Sequence, residues 1–124
     1  MLKDIENRDD IIALVNGFYS SARKDAVIGH IFNDVAKVDW ENHLPRMYDF
    51  WESLLLGTTV FTGNPMLKHI GLSKKTPMEE FQFESWINLW REAVDKNFKG
   101  IKADEAKQRA ANIAALMLHK IKNA

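Results

Sequence analysis

Apolar residues recur at three- and four-residue spacings along most of this chain, and no segment alternates strongly enough to read as a strand. After Asn7, an N-cap followed by Asp9 and Asp10, the apolar positions Ile11, Ile12, Val15, Phe18, Tyr19 and Ala22 fall on one helix face. A single helical turn is expected around Ile28 to Phe32. A second long helix is expected from near Asp39, with His43, Met47, Phe50, Trp51 and Leu54 on one side, ending at Gly57. Asn64-Pro65 then reads as an N-cap with proline at the first helical position, and Gly71 as its stop. Residues 65–70 thus have room for about one and a half turns, and they carry His69. Thr76-Pro77 with Glu79 and Glu80 opens another helix, in which Phe83, Trp86, Ile87, Trp90 and Val94 repeat before Gly100. The last helix is expected from about Ala103 to Lys122, with Ala106, Ala110, Ile113 and Leu116 or Met117 facing inward. The pattern predicts an all-α chain of five or six helices joined by short loops.

At 124 residues the expectation is one domain, spanning 1–124. Lys plus Arg and Asp plus Glu both number 17, so the formal charge is zero, which disfavours nucleic-acid binding because displacing phosphate counterions needs a positive field. The final helix has Lys102, Lys107, Arg109, Lys120 and Lys122 against Asp104 and Glu105, and it reads as a solvated face. With no cysteine, disulfides, thiol nucleophiles, iron–sulfur clusters and thioether-attached haem are all excluded. The longest apolar run, Ile113 to Leu118, is far short of the ~20 residues that span a bilayer. No signal-peptide stretch follows Met1, so the expectation is a cytoplasmic protein without a membrane partner, by default a monomer.

Four histidines and two tyrosines carry the candidate chemistry. His69, between Met66 and Ile70 on a short and sharply delimited helix, would hold a neutral imidazole in apolar surroundings as an iron ligand, or is a satisfied surface or core histidine. His43 sits one turn before Met47 and is either a boundary residue facing water or a pocket gate. Tyr19, on the buried side of the first helix, must find a hydrogen-bond partner, most simply a carbonyl. The Trp86 indole can only donate, so burial would demand an acceptor from the protein, water or a ligand. His30 with Asp34, and Glu80 with Glu84, lack the third ligand of a metal site and read as solvated pairs.

In order along the chain, Phe18-Tyr19, Phe32, His43, Phe50-Trp51, Gly63-Asn64-Pro65 leading to His69, and Trp86 resemble the truncated haemoglobins, specifically their third group. The resemblance covers essentially the whole chain. That group lacks the double-glycine motifs of the others, and the six glycines here include no adjacent pair. The resemblance implies a globin-like, two-over-two helical sandwich around a b-type haem (iron protoporphyrin IX). It assigns His69 as the proximal iron ligand, Tyr19 and Trp86 as distal donors, His43 as the histidine at the pocket mouth, and Phe32 as the ring packed on the porphyrin. Met47, one turn beyond His43, then faces the same pocket, and Arg46 and Lys68 are the propionate partners. Phe61 departs from the tyrosine that some relatives carry.

The implied function is reversible binding of dioxygen or another diatomic ligand, without catalysis as the favoured reading. Two donors, each worth roughly 1.5–3 kcal/mol at a partly charged acceptor, imply slow release. The alternative is nitric-oxide dioxygenation or peroxidase-like turnover at the same haem, which needs electrons from a separate reductase. From periodicity alone, a cofactor-free helical adaptor is the competing class.

Overall fold

A computed structural model describes residues 2–31, 40–58 and 79–122. Among these, four helices carry the fold: α1 (Arg8–Ala22), α2 (Trp40–Leu56), α3 (Glu80–Asn97) and α4 (Ile101–Lys122). The chain is all-α, as its periodicity predicts; the only β-type pairing among the described residues is an isolated parallel bridge between Lys3 and Phe98. The expected helix over 65–70 and the Thr76-Pro77 start lie outside the described residues.

Helix α1 begins where predicted. The Asn7 side chain accepts from the Asp10 N–H at 3.0 Å, and Asp9 and Asp10 place negative charge in the first turn, where the helix dipole favours it. Its buried stripe is Ile11, Leu14, Val15, Phe18 and Ala22. Helix α2 stops at Gly57, whose φ of 73° is the left-handed conformation that a side chain disfavours. At the start of α3, the Gln82 side chain reaches back to accept the Glu79 N–H at 2.9 Å.

Helix α4 starts two residues before the expected Ala103, because its cap comes from far away in sequence. The Asp4 carboxylate accepts from the backbone N–H groups of Lys102 at 2.9 Å and Ala103 at 2.8 Å. The Lys99 N–H adds a bond to the Lys3 carbonyl at 2.9 Å, so the N-terminal segment is tied to the α3–α4 turn. Of the two alternatives on α4's inner face, Met117 is the buried one and Leu116 is 49% exposed.

The helices form two pairs, α1 with α2 and α3 with α4, and α1 crosses α3 where the pairs meet. Trp51 of α2 and Trp90 of α3 stack in the core between the pairs, with ring centroids 4.3 Å apart and planes 21° off parallel. The Trp90 indole N–H is satisfied by the Ala106 carbonyl at 3.1 Å, which makes this tryptophan a structural one. A smaller cluster of Phe83, Ala114 and Met117 fills the far end of the α3–α4 pair, and Trp86 packs against both clusters.

Candidate functional site

Phe18 and Tyr19 are neighbours on α1 and therefore point about 100° apart. Phe18 turns into the core, edge-on to Trp90 at 5.3 Å and to Trp86 at 6.2 Å between ring centroids. Tyr19 turns towards α2, where its Oη lies 3.1 Å from Nε2 of His43. Which of the two donates depends on the imidazole tautomer. Burial pushes the Tyr19 phenol pKa up, so it stays a neutral hydroxyl across the physiological range. One partner of this phenol is thus a side chain 24 residues away.

His43 is half-buried, which removes the reading of a boundary residue turned to water. Trp40, at the first position of α2, stands edge-on to both members of the pair, 5.1 Å from the Tyr19 ring and 5.6 Å from the His43 ring. The Arg23 guanidinium lies over the Trp40 ring at 4.5 Å. Beside these groups an open cleft of about 420 Å³ is lined by Asn16, Tyr19, Ser20, Arg23, Lys24, Trp40 and Leu44. Sequence reasoning missed Trp40 and Arg23. The only available signal was that Trp40 lies three residues before His43, a spacing at which helical side chains meet.

Of the remaining predicted residues, Met47 is half-buried and packs against the core one turn beyond His43, while Arg46 is exposed on α2. Trp86 is half-buried on α3, and none of the described residues accepts its indole N–H. His69, Phe32 and Lys68 lie outside the described residues. The structure therefore brings Tyr19 and His43 into direct contact and links Trp86 to them through Phe18. Among the described residues no group of three or more His, Asp or Glu side chains is arranged to hold a metal ion, and no helix is long and apolar enough to cross a membrane.

Below this site, α1 and α2 are braced by charge. Arg8 pairs with Asp49 at 2.8 Å and with Glu52 at 3.5 Å, and the buried Glu52 carboxylate also accepts from the Thr58 hydroxyl at 2.9 Å. The Tyr48 hydroxyl donates to Asn16 across the same helix pair. These contacts join α1 to α2 alongside the apolar packing that sets Tyr19 against His43.

No family model matches the chain. It is similar to the group 3 truncated hemoglobin ctb of Campylobacter jejuni, with 31% identity over 112 residues, covering 88% of this chain and 86% of that protein. Its structure resembles the crystal structure of group III truncated hemoglobin from Campylobacter jejuni, with a TM-score of 0.83 and 29% identity, covering 98% of this chain and 95% of the other. With that identity, coverage and helical arrangement, the chain belongs to the group III truncated haemoglobins and has their globin fold.

Proposed function

We propose that this globin holds a b-type haem and reversibly binds dioxygen or another diatomic gas, with Tyr19, His43 and Trp86 on the gas-binding side. Membership of the family makes haem the expected cofactor. The observation that carries the ligand reading is the 3.1 Å contact between the Tyr19 phenol and the His43 imidazole, flanked by the aromatic rings of Phe18 and Trp40. Polar side chains set in apolar surroundings are the donor set that a small, partly charged ligand needs, because a donor is strengthened when water is kept away.

In this reading His69 would hold the iron, Phe32 and Met47 would line the haem, and Arg46 and Lys68 would meet its carboxylates. When bound, the haem supplies an iron with one open position for the gas. The protein's own part is to present hydrogen-bond donors there. Tyr19 remains protonated and able to donate at any physiological pH. The Trp86 indole N–H, which no described residue accepts, is available to a ligand. His43 bonds to Tyr19 and would share that phenol with a bound gas. Two donors acting together lengthen the residence of the gas, which suits retention, sensing or slow redox use better than rapid delivery. A single domain working as a monomer in the cytoplasm, with electrons from a separate reductase, completes the proposal.

Absorbance spectra of the purified protein in its ferric, ferrous and carbonyl forms test it. A strong near-ultraviolet band that shifts on reduction and again on adding carbon monoxide is the expected result. A colourless protein that takes up no added haem would end this reading and favour a cofactor-free helical adaptor.

A further inference from the structure

We infer that Trp40 is a positioning residue for the distal pair: it holds the His43 ring on Tyr19, is itself held by Arg23, and sets how fast the pair opens to admit a gas. The inference rests on the proposal above that Tyr19 and His43 face the gas.

Three distances carry it. The Trp40 indole is edge-on to both Tyr19 and His43, at 5.1 and 5.6 Å, while those two rings are 5.4 Å from each other. The three rings thus form a closed triangle in which each is buttressed by the other two. Edge-to-face contacts at these separations are attractive beyond the area they bury. On α2, Trp40 and His43 are three residues apart, so the indole lies over the turn from which the imidazole projects. A shift of the indole is therefore felt directly by the His43 ring.

A second feature gives the indole somewhere to go. The cleft of about 420 Å³ lies along Trp40, Arg23 and Tyr19, so the ring borders open space and not a packed interior. Core side chains are held by close packing on every side. Trp40 has rings on one side and the cleft on another, with the Arg23 guanidinium 4.5 Å from its centroid. That cation–π contact favours the closed triangle. Weakening it lets the indole rotate towards the cleft, and His43 loses the Trp40 edge.

The test uses full-length protein as purified, reduced and saturated with carbon monoxide so that any iron present is diamagnetic. Long-range proton–nitrogen NMR reports the tautomer of the His43 ring, and His43→Gln assigns its signal. Trp40→Phe, which keeps an aromatic edge, should leave that signal near its wild-type position. Trp40→Ala should move it towards the averaged tautomer of a free imidazole. In haem-loaded protein, Trp40→Ala should speed carbon monoxide rebinding after a light flash by roughly threefold to tenfold, the size expected from losing an aromatic contact. Arg23→Gln should give a smaller acceleration with the indole still in place, and it serves as the variant of record if Trp40→Ala does not fold. An unchanged His43 signal and unchanged rebinding in the folded variants would overturn the inference. If the protein takes up no haem, the gas-binding proposal fails by itself, and the NMR arm still decides whether Trp40 holds His43.

Discussion

The Asp4 carboxylate accepts from the backbone N–H of Lys102, a bond that spans 98 residues and ties the start of the chain to the first turn of α4. Burial alone pushes the Asp4 pKa up. Three backbone N–H donors, from Lys102, Ile5 and Ala103, together with the Lys102 charge, outweigh it, and the net shift is downward. The group therefore contributes stability above the ordinary carboxylate range and loses it as the pH falls through the lowered folded-state value. Asp4→Ala should destabilise the protein by about 1–2 kcal/mol, as for a lost helix cap. Urea denaturation at neutral pH measures this, and the gap to wild type should begin to narrow as the pH falls below about 4.

Gly100 is held against that same carboxylate. Its φ is 144°, and a Cβ placed on it would lie 2.6 Å from the Asp4 Cγ. Gly100→Ala should cost about 1–3 kcal/mol through backbone strain and displacement of the cap. The effect should shrink in an Asp4→Ala background, because the two sites share one contact. Equal losses in both backgrounds would show that the clash with Asp4 is irrelevant.

His69→Ala should give protein that retains helical circular dichroism but lacks stoichiometric haem, or that carries haem with a grossly altered spectrum. Normal haem content and an unchanged spectrum would remove the proposal that His69 holds the iron.

Replacing the proposed donors Tyr19 and Trp86 should alter gas release while haem stays bound. Trp86→Phe should speed oxygen dissociation by roughly tenfold, the worth of one hydrogen bond to a partly charged acceptor. Tyr19→Phe should change the rate at least severalfold, since it deletes a donor and also frees His43 from its 3.1 Å partner. Stopped-flow displacement by carbon monoxide reads both, and wild-type rates in both variants would mean that these side chains do not face the gas.

Much of the fold was legible because it depends on local signals. The Asn7 cap, the Gly57 stop and the inward stripes of α1 and α3 are set by residues within a turn or two of one another. The cap of α4 was not legible, because its acceptor is Asp4 and no local pattern announces a partner that far away. The site divides in the same way. Tyr19 and His43 could each be singled out as polar groups on apolar faces, but their contact arises from the angle at which α1 crosses α2. That angle is braced by Arg8, Asp49 and Glu52, none of which carries a recognisable motif. Trp40 escaped notice for a related reason, since a tryptophan opening a helix resembles any other apolar residue until its neighbours are known.

The divergence of Phe18 and Tyr19 has a consequence for how such a protein is tuned. One residue is wedged among interior tryptophans and the next meets the imidazole across the helix pair, yet both are borne by the same rigid rod. A small roll of α1 about its axis, such as a smaller side chain in place of Phe18 would permit, swings the phenol through the same angle. If Tyr19 faces a bound gas as proposed, affinity would drift through repacking at a distance while every pocket side chain keeps its identity, and thermal robustness and ligand residence time would vary together.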